Sequence, residues 1–163
     1  MSRAQDWATR IKHEASLHEA NSFLTLTYSD AHLPDDYSIS VKALQDFLKR
    51  LRKALAPLQI RFFACGEYGE LNQRPHYHLI IFGYDFPDKT LWRKTGSGYL
   101  TYRSALLEKV WPFGHCEIGT VTTESAGYVA RYVLKKVTGE EAEGAYSRVH
   151  PFLASSFGCG LSL

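Results

Sequence analysis

The stretches IRFFACGEYG at residues 60–69 and HYHLIIFG at residues 76–83 decide how this chain folds. Both are dense in aromatic and β-branched residues, and only the polar-rich ELNQRP lies between them. A link that short cannot make the crossover that parallel strands require, so the two stretches are predicted to pair as an antiparallel hairpin. Side chains alternate along a strand, which puts His76 and His78 on one face and Tyr77, Leu79 and Ile81 on the other. On the partner strand Glu67 shares its face with Cys65 and Phe63 and stands beside the two histidines. Glu70 is the rival carboxylate, deeper in the turn beyond Gly69. Two imidazoles and one carboxylate leave coordination positions open, as a catalytic metal site does. A solvated polar patch near a strand end has the same composition. His115, Cys116 and Glu117 form a second polar cluster, but neighbouring strand residues point apart, which suits a ligand site poorly.

Outward from the hairpin, the pattern Trp7, Ile11, Ala15, Leu17 predicts an amphipathic helix over residues 2–20, and SFLTLTY at 22–28 alternates as a strand. Ser40 caps a run in which Val41, Leu44, Phe47, Leu48, Leu51 and Leu55 recur at helical spacing before Pro57. Residues 85–99 read as a loop whose Gly96-Ser97-Gly98 is suited to covering a ligand. A short helix at 102–110 ending at Trp111-Pro112, a strand at 115–121 and a helix at 124–137 follow, then an acidic and Gly/Ser-rich tail from 139. Hairpin-joined strands with helices on the connections predict one α+β domain over residues 1–163. Its expected core is a ferredoxin-like or RRM-like antiparallel sheet of about five strands, one face under helices and the other open to a ligand.

The 163 residues are 45% hydrophobic and 22% charged, enough for a single core. Net charge is only +2, yet the cations cluster in KRLRK at 49–53, at Arg93 and Lys94, and at Arg131, Lys135 and Lys136. Such patches can hold phosphates without a basic overall charge, although KRLRK also suits the solvated face of a helix. Three cysteines without CxxC spacing support neither a disulfide framework nor a thiolate zinc cluster. No leader pattern and no apolar run of about 20 residues is present, so a cytoplasmic protein is expected.

Advancing about 100° per residue along 124–137 gathers Val129, Ala130, Val133, Leu134 and Val137 on one side. Tyr128, Arg131, Tyr132 and Lys135 gather on the other, with Lys136 at the edge. The apolar stripe is complete without the tyrosines, so two phenols share a cationic face one turn apart. A phenol titrates near 10 and attacks poorly unless a cation stabilises its anion; Lys135 and a metal at the triad are the available charges. A surface helix with base-stacking tyrosines would carry the same pattern.

The motif His76-Tyr77-His78, with Glu67 upstream and GYVARYVLKK at 127–136, resembles the HUH endonucleases, specifically the two-tyrosine rolling-circle replication initiators. FLTLTY at 23–28 is similar to their first motif. The series ACGEYG (64–69), RPHYHLIIFG (74–83), WPFG (111–114) and YVARYVLKK (128–136) resembles the replication initiators of microviruses of the gokushovirus type. The resemblance spans residues 23–137; HPFLASSFGCGLSL at 150–163 matches only loosely, as a compact or truncated nuclease domain would.

This resemblance implies nicking of single-stranded DNA at a hairpin-containing origin, leaving a free 3′-hydroxyl and a 5′-phosphotyrosine, with later rejoining of the ends. It implies Mg²⁺ or Mn²⁺ on Glu67, His76 and His78, although imidazole ligands alone would equally admit zinc. Tyr128 and Tyr132 would be the nucleophiles and Lys135 a charge-stabilising group. Arg74, Arg131, Lys136, Arg93, Lys94 and Tyr68 are the expected DNA contacts, with Trp92, Tyr99 and Tyr102 as further stacking platforms. A host helicase and the cytoplasm of a bacterial host complete the expectation. A single-tyrosine transposase or relaxase using Tyr128 alone, a hydrolase without a covalent intermediate, and a non-catalytic nucleic-acid-binding module are the alternatives.

Overall fold

The hairpin forms as expected: β2 (Arg61–Tyr68) pairs antiparallel with β3 (Pro75–Phe82). This is seen in a computed structural model, which describes residues 3–123, 125–128, 130 and 152–156. The register places Glu67 opposite His76 and Cys65 opposite His78. The turn closes through Gly69 N–H to the Arg74 carbonyl and Gln73 N–H to the Gly69 carbonyl.

β1 (Asn21–Leu26) lies on the other side of β3, and β6 (Cys116–Gly119) pairs with β1. The inner order β6-β1-β3-β2 is all antiparallel, with α2 (Val41–Leu55) on the connection from β1 to β2 and α3 (Ala105–Val110) before β6. That is the expected ferredoxin-like core. The sheet is wider than expected, however, with seven strands in the order β4-β5-β6-β1-β3-β2-β7. The segment read as a loop from 85 contains β4 (Thr90–Lys94) and pairs with β5 (Leu100–Arg103). The tail contributes β7 (Phe152–Ser155), which pairs with β2. The short helix begins at Ala105 rather than 102, because the Ser104 hydroxyl accepts the Leu107 N–H as its cap.

The helix α2 matches its sequence pattern closely. Ser40 accepts the Ala43 N–H, and Leu44, Phe47, Leu48 and Leu51 are buried. They pack on the sheet face formed by Leu24, Leu26, Phe62, Ala64, Tyr77, Leu79 and Ile81, and Trp111 is sealed among them. Trp111 donates its indole N–H to the Thr27 carbonyl at 2.7 Å. The WPFG glycine is required by close approach: a Cβ on Gly114 would lie 2.5 Å from the Ser29 nitrogen and 2.6 Å from the Tyr28 carbonyl carbon.

The opposite face carries a smaller core of Ile11, Phe63, Cys65, Ile80, Phe82 and Ala126, covered by α1 (Arg3–Ser16). Trp7 packs against Phe63 at 4.9 Å between ring centroids. The helix α1 stops short of the predicted residue 20, and Leu17, expected in its apolar stripe, is exposed. Residues 125–128 are helical; the rest of the helix expected at 129–137 lies outside the described residues, Ala130 excepted. Among the described residues no helix is long and apolar enough to cross a membrane.

Candidate metal centre

Where the smaller core ends, the same sheet face turns polar. Both histidine Nε2 atoms converge on one carboxylate oxygen, Glu67 Oε1, at 2.7 Å from His76 and 2.9 Å from His78. The three donor atoms all lie within 4.8 Å of one another. Ligands about 2.1 Å from a shared ion stand about 3 Å apart when adjacent, so this spacing suits one coordination sphere.

The remaining ring nitrogens fix each imidazole. His76 Nδ1 lies 3.2 Å from the Arg74 carbonyl, which can only accept, so that nitrogen carries the proton. A neutral His76 therefore aims a lone pair from Nε2 at Glu67, which is a ligand geometry rather than a hydrogen bond. The Thr25 hydroxyl meets His78 Nδ1 at 3.2 Å, and Phe23 stacks on the His78 ring at 5.7 Å and 11°. Partners of this kind orient metal-binding histidines.

Glu67 is almost wholly buried, and its Oε2 is a buried oxygen with no hydrogen-bond partner. Burial pushes this carboxyl up, but hydrogen bonds and positive charge from His76 and His78 more than offset that and hold its pKa below the ordinary value. A buried anion with an unpaired oxygen between two imidazoles has the donor chemistry that a divalent cation requires. Glu70, the rival carboxylate, is exposed in the turn and is not among the converging ligand atoms.

Tyr128 stands over this centre. Its ring lies edge-on to His78, 6.1 Å between centroids, and it remains 44% exposed. Burial and then the negative charge of Glu67 push its phenol up to about 12. Tyr132, Lys135, Arg131 and Lys136 lie outside the described residues.

The other expected contacts divide. Tyr68 is corrected: its ring is fully buried on the opposite face and its hydroxyl accepts the Ile39 N–H, so it cannot stack on a base. It follows Glu67 by one residue, and strand alternation turns it into the α2 core. Arg74 pairs with Asp30 at 2.8 Å and donates to the Tyr28 carbonyl, bracing the loop after β1. Arg93 lies over Trp92 and 3.5 Å from Glu117, while Lys94 is exposed on the same edge strand. Trp92 and Tyr99 are exposed, whereas Tyr102 packs against the larger core. Of KRLRK, Leu51 is core, Arg50 donates to the Val110 carbonyl and Arg52 covers Phe62, all on the helix remote from the triad face. Thr25 and Phe23 had no sequence assignment, yet both touch His78.

A family profile described as replication-associated protein, of the ORF2 type, matches residues 21–137, which includes every triad residue and Tyr128. The chain belongs to this replication-associated protein family. Among relatives of this family member, replication-associated protein VP4 of Bdellovibrio phage phiMH2K is 34% identical over 157 residues, 92% of this chain and 50% of that protein. Replication-associated protein ORF4 of Chlamydia phage 1 is 38% identical over 82% of this chain and 35% of its own length. Replication-associated protein ORF2 of Spiroplasma virus 4 is 31% identical over 99% of this chain and 52% of its own. The chain thus spans about half or less of each relative's length. No solved structure matches it.

Proposed function

We propose that this member of the replication-associated protein family is a rolling-circle replication initiator domain of the HUH type, which nicks single-stranded origin DNA by tyrosine attack. The observation that carries the reading is Tyr128 placed edge-on to His78 beside three converging metal-ligand atoms. Glu67, His76 and His78 would hold Mg²⁺ or Mn²⁺, which when bound supplies Lewis-acid polarisation and a template for a phosphate.

The protein's own groups account for the rest. Tyr128 gives up its phenolic proton and its oxygen attacks the scissile phosphorus; the bond from phosphorus to the 3′ oxygen breaks, and that oxygen leaves as a 3′-hydroxyl. One phosphodiester replaces another, so the reverse attack by a 3′-hydroxyl rejoins the strand without ATP. A second nucleophile at Tyr132 would cut a regenerated origin while the first still holds its end, and Lys135 would offset charge on phosphate or phenolate. The phenol's raised pKa makes cationic help necessary, since Glu67 alone repels the phenolate. A host helicase and the bacterial cytoplasm follow from the same reading.

The test is covalent capture of labelled single-stranded DNA with Mn²⁺, comparing wild type, Tyr128→Phe, Tyr132→Phe and the double variant. Adducts that persist in each single variant and vanish in the double one are expected. Loss with Tyr128→Phe alone would assign a single-tyrosine enzyme, and cutting that survives the double variant would assign a hydrolase. Wild type that never forms an adduct across broad sequence pools overturns the proposal.

A further inference from the structure

Beside the triad, on the same sheet face, lies a groove of about 560 Å³ that the nicking chemistry does not use. Its floor is built by Phe23 and Thr25 of β1, Glu117 of β6 and Thr101 of β5. Tyr99 and Tyr128 stand among its walls. Its volume falls within the range of small-ligand sites, about 300–1,000 Å³. Most of the lining residues carry a hydroxyl, none is lysine or arginine, and the single charged one is Glu117. A groove meant for the phosphate backbone would be cationic. This one instead offers aromatic surface, hydroxyls and one carboxylate, which is the chemistry that meets a nucleobase.

Strand register fixes how far this groove is from the cut. His78 is opposite Thr25, and Thr25 is opposite Glu117, so the three form one row across the sheet. Two strand spacings, about 10 Å, separate the metal ligand from the carboxylate. A strand whose phosphate rests at the triad therefore lays a base of the same or the neighbouring nucleotide against Glu117. The carboxylate is held in place: Oε2 meets Arg93 at 3.5 Å and His115 Nε2 at 3.3 Å. Among the described residues Oε1 takes no hydrogen bond.

We infer that this groove reads one base next to the scissile phosphate, and that Glu117 selects a base with an exocyclic amino group against thymine. The inference rests on the proposed function. A carboxylate oxygen accepts from the amino groups of cytosine, adenine or guanine. Thymine has no amino group, and its one ring N–H sits between two carbonyls that would face the anion. Glu117 is thereby a specificity residue rather than a catalytic one, and it explains why a nucleic-acid groove carries an acid.

The full chain with Mn²⁺ is incubated with short single strands of random sequence, and both the retained pool and the covalently captured pool are sequenced. Wild type is expected to deplete thymine roughly tenfold at one position beside the cut, the scale of one good base contact. Glu117→Gln, which adds an amide donor able to meet a thymine carbonyl, should erase that depletion and leave other positions unchanged. Glu117→Asp should keep it, and melting curves for both variants verify folding. An unchanged profile in Glu117→Gln, or no position depleted of thymine in wild type, overturns the inference while leaving nicking intact. A retained pool with thymine depletion but no adducts supports the base reading and removes the nuclease. A pool that is not retained at all overturns both.

Discussion

The two faces of one sheet are built to opposite rules. Under α2 the face is sealed: Leu24, Leu26, Phe62, Tyr77, Leu79, Ile81 and Trp111 are all buried, and even the Tyr77 hydroxyl is used, accepting the Ser40 N–H at 2.8 Å. On the other face α1 covers only one end. Beyond Phe63, Ile80 and Phe82 the apolar residues give way to Glu67, His76, His78, Thr25 and Glu117. Because strand side chains alternate, each strand serves both purposes at once, with β3 sending Tyr77 to one side and His76 and His78 to the other. The difference teaches that stability and chemistry are separable here. The larger core lets the other face hold a buried carboxylate with an unpaired oxygen.

The largest expected effect lies on the sealed face. Trp111→Ala should cost about 3–5 kcal/mol by chemical denaturation, since it removes a fully buried indole packed among Tyr28, Phe47, Tyr77 and Phe113. The folded fraction should keep its Mn²⁺ affinity by calorimetry, and a matching loss of affinity would show that the faces are not independent. Glu67→Gln tests the converse. Losing a ligand should weaken Mn²⁺ binding beyond the 10–100-fold typical of losing a supporting partner, or about 100-fold or more. Without added metal the variant should melt no lower than wild type, because a buried anion with an orphan oxygen is a burden to the fold. A large drop in melting temperature would mean that Glu67 is structural.

What the sequence revealed follows the same division. The hairpin and α2 were legible because a period of two and a period of 3.6 each face a core, and the short turn fixed the register that picks Glu67 over Glu70. β4 was not legible, since all five of its residues are exposed and no burial period exists to read. β7 pairs with β2 across a long separation in the chain, a contact that no local pattern announces. Tyr68 was misassigned by proximity to Glu67, although alternation already placed it with the core. Thr25 became visible only when β1 was seen beside β3, because which strands neighbour each other is not written in any one strand.

The smallest effect concerns the border of the open face, where β4 and β5 extend the sheet with little core beneath them. Their joint to α3 is polar: Asp88 accepts from the Ser104 hydroxyl at 2.7 Å and from the Leu106 N–H at 2.9 Å. Slight burial pushes the Asp88 carboxyl up, but these hydrogen bonds more than offset it and hold its pKa below the ordinary value. A carboxylate with a depressed folded-state pKa contributes stability that is present above its unfolded value, near 3.9, and is lost as pH falls through the folded value. Asp88→Asn should therefore lower stability at pH 6 by about 0.5 kcal/mol, the group being mostly solvated. Below pH 3 the variant and wild type should converge. Hydrogen exchange at pH 6 should show faster exchange at Leu106 and along β5, while β3 keeps its protection. If β3 exchanges faster as well, the extension and the triad strand open together, and the open face has no separable border.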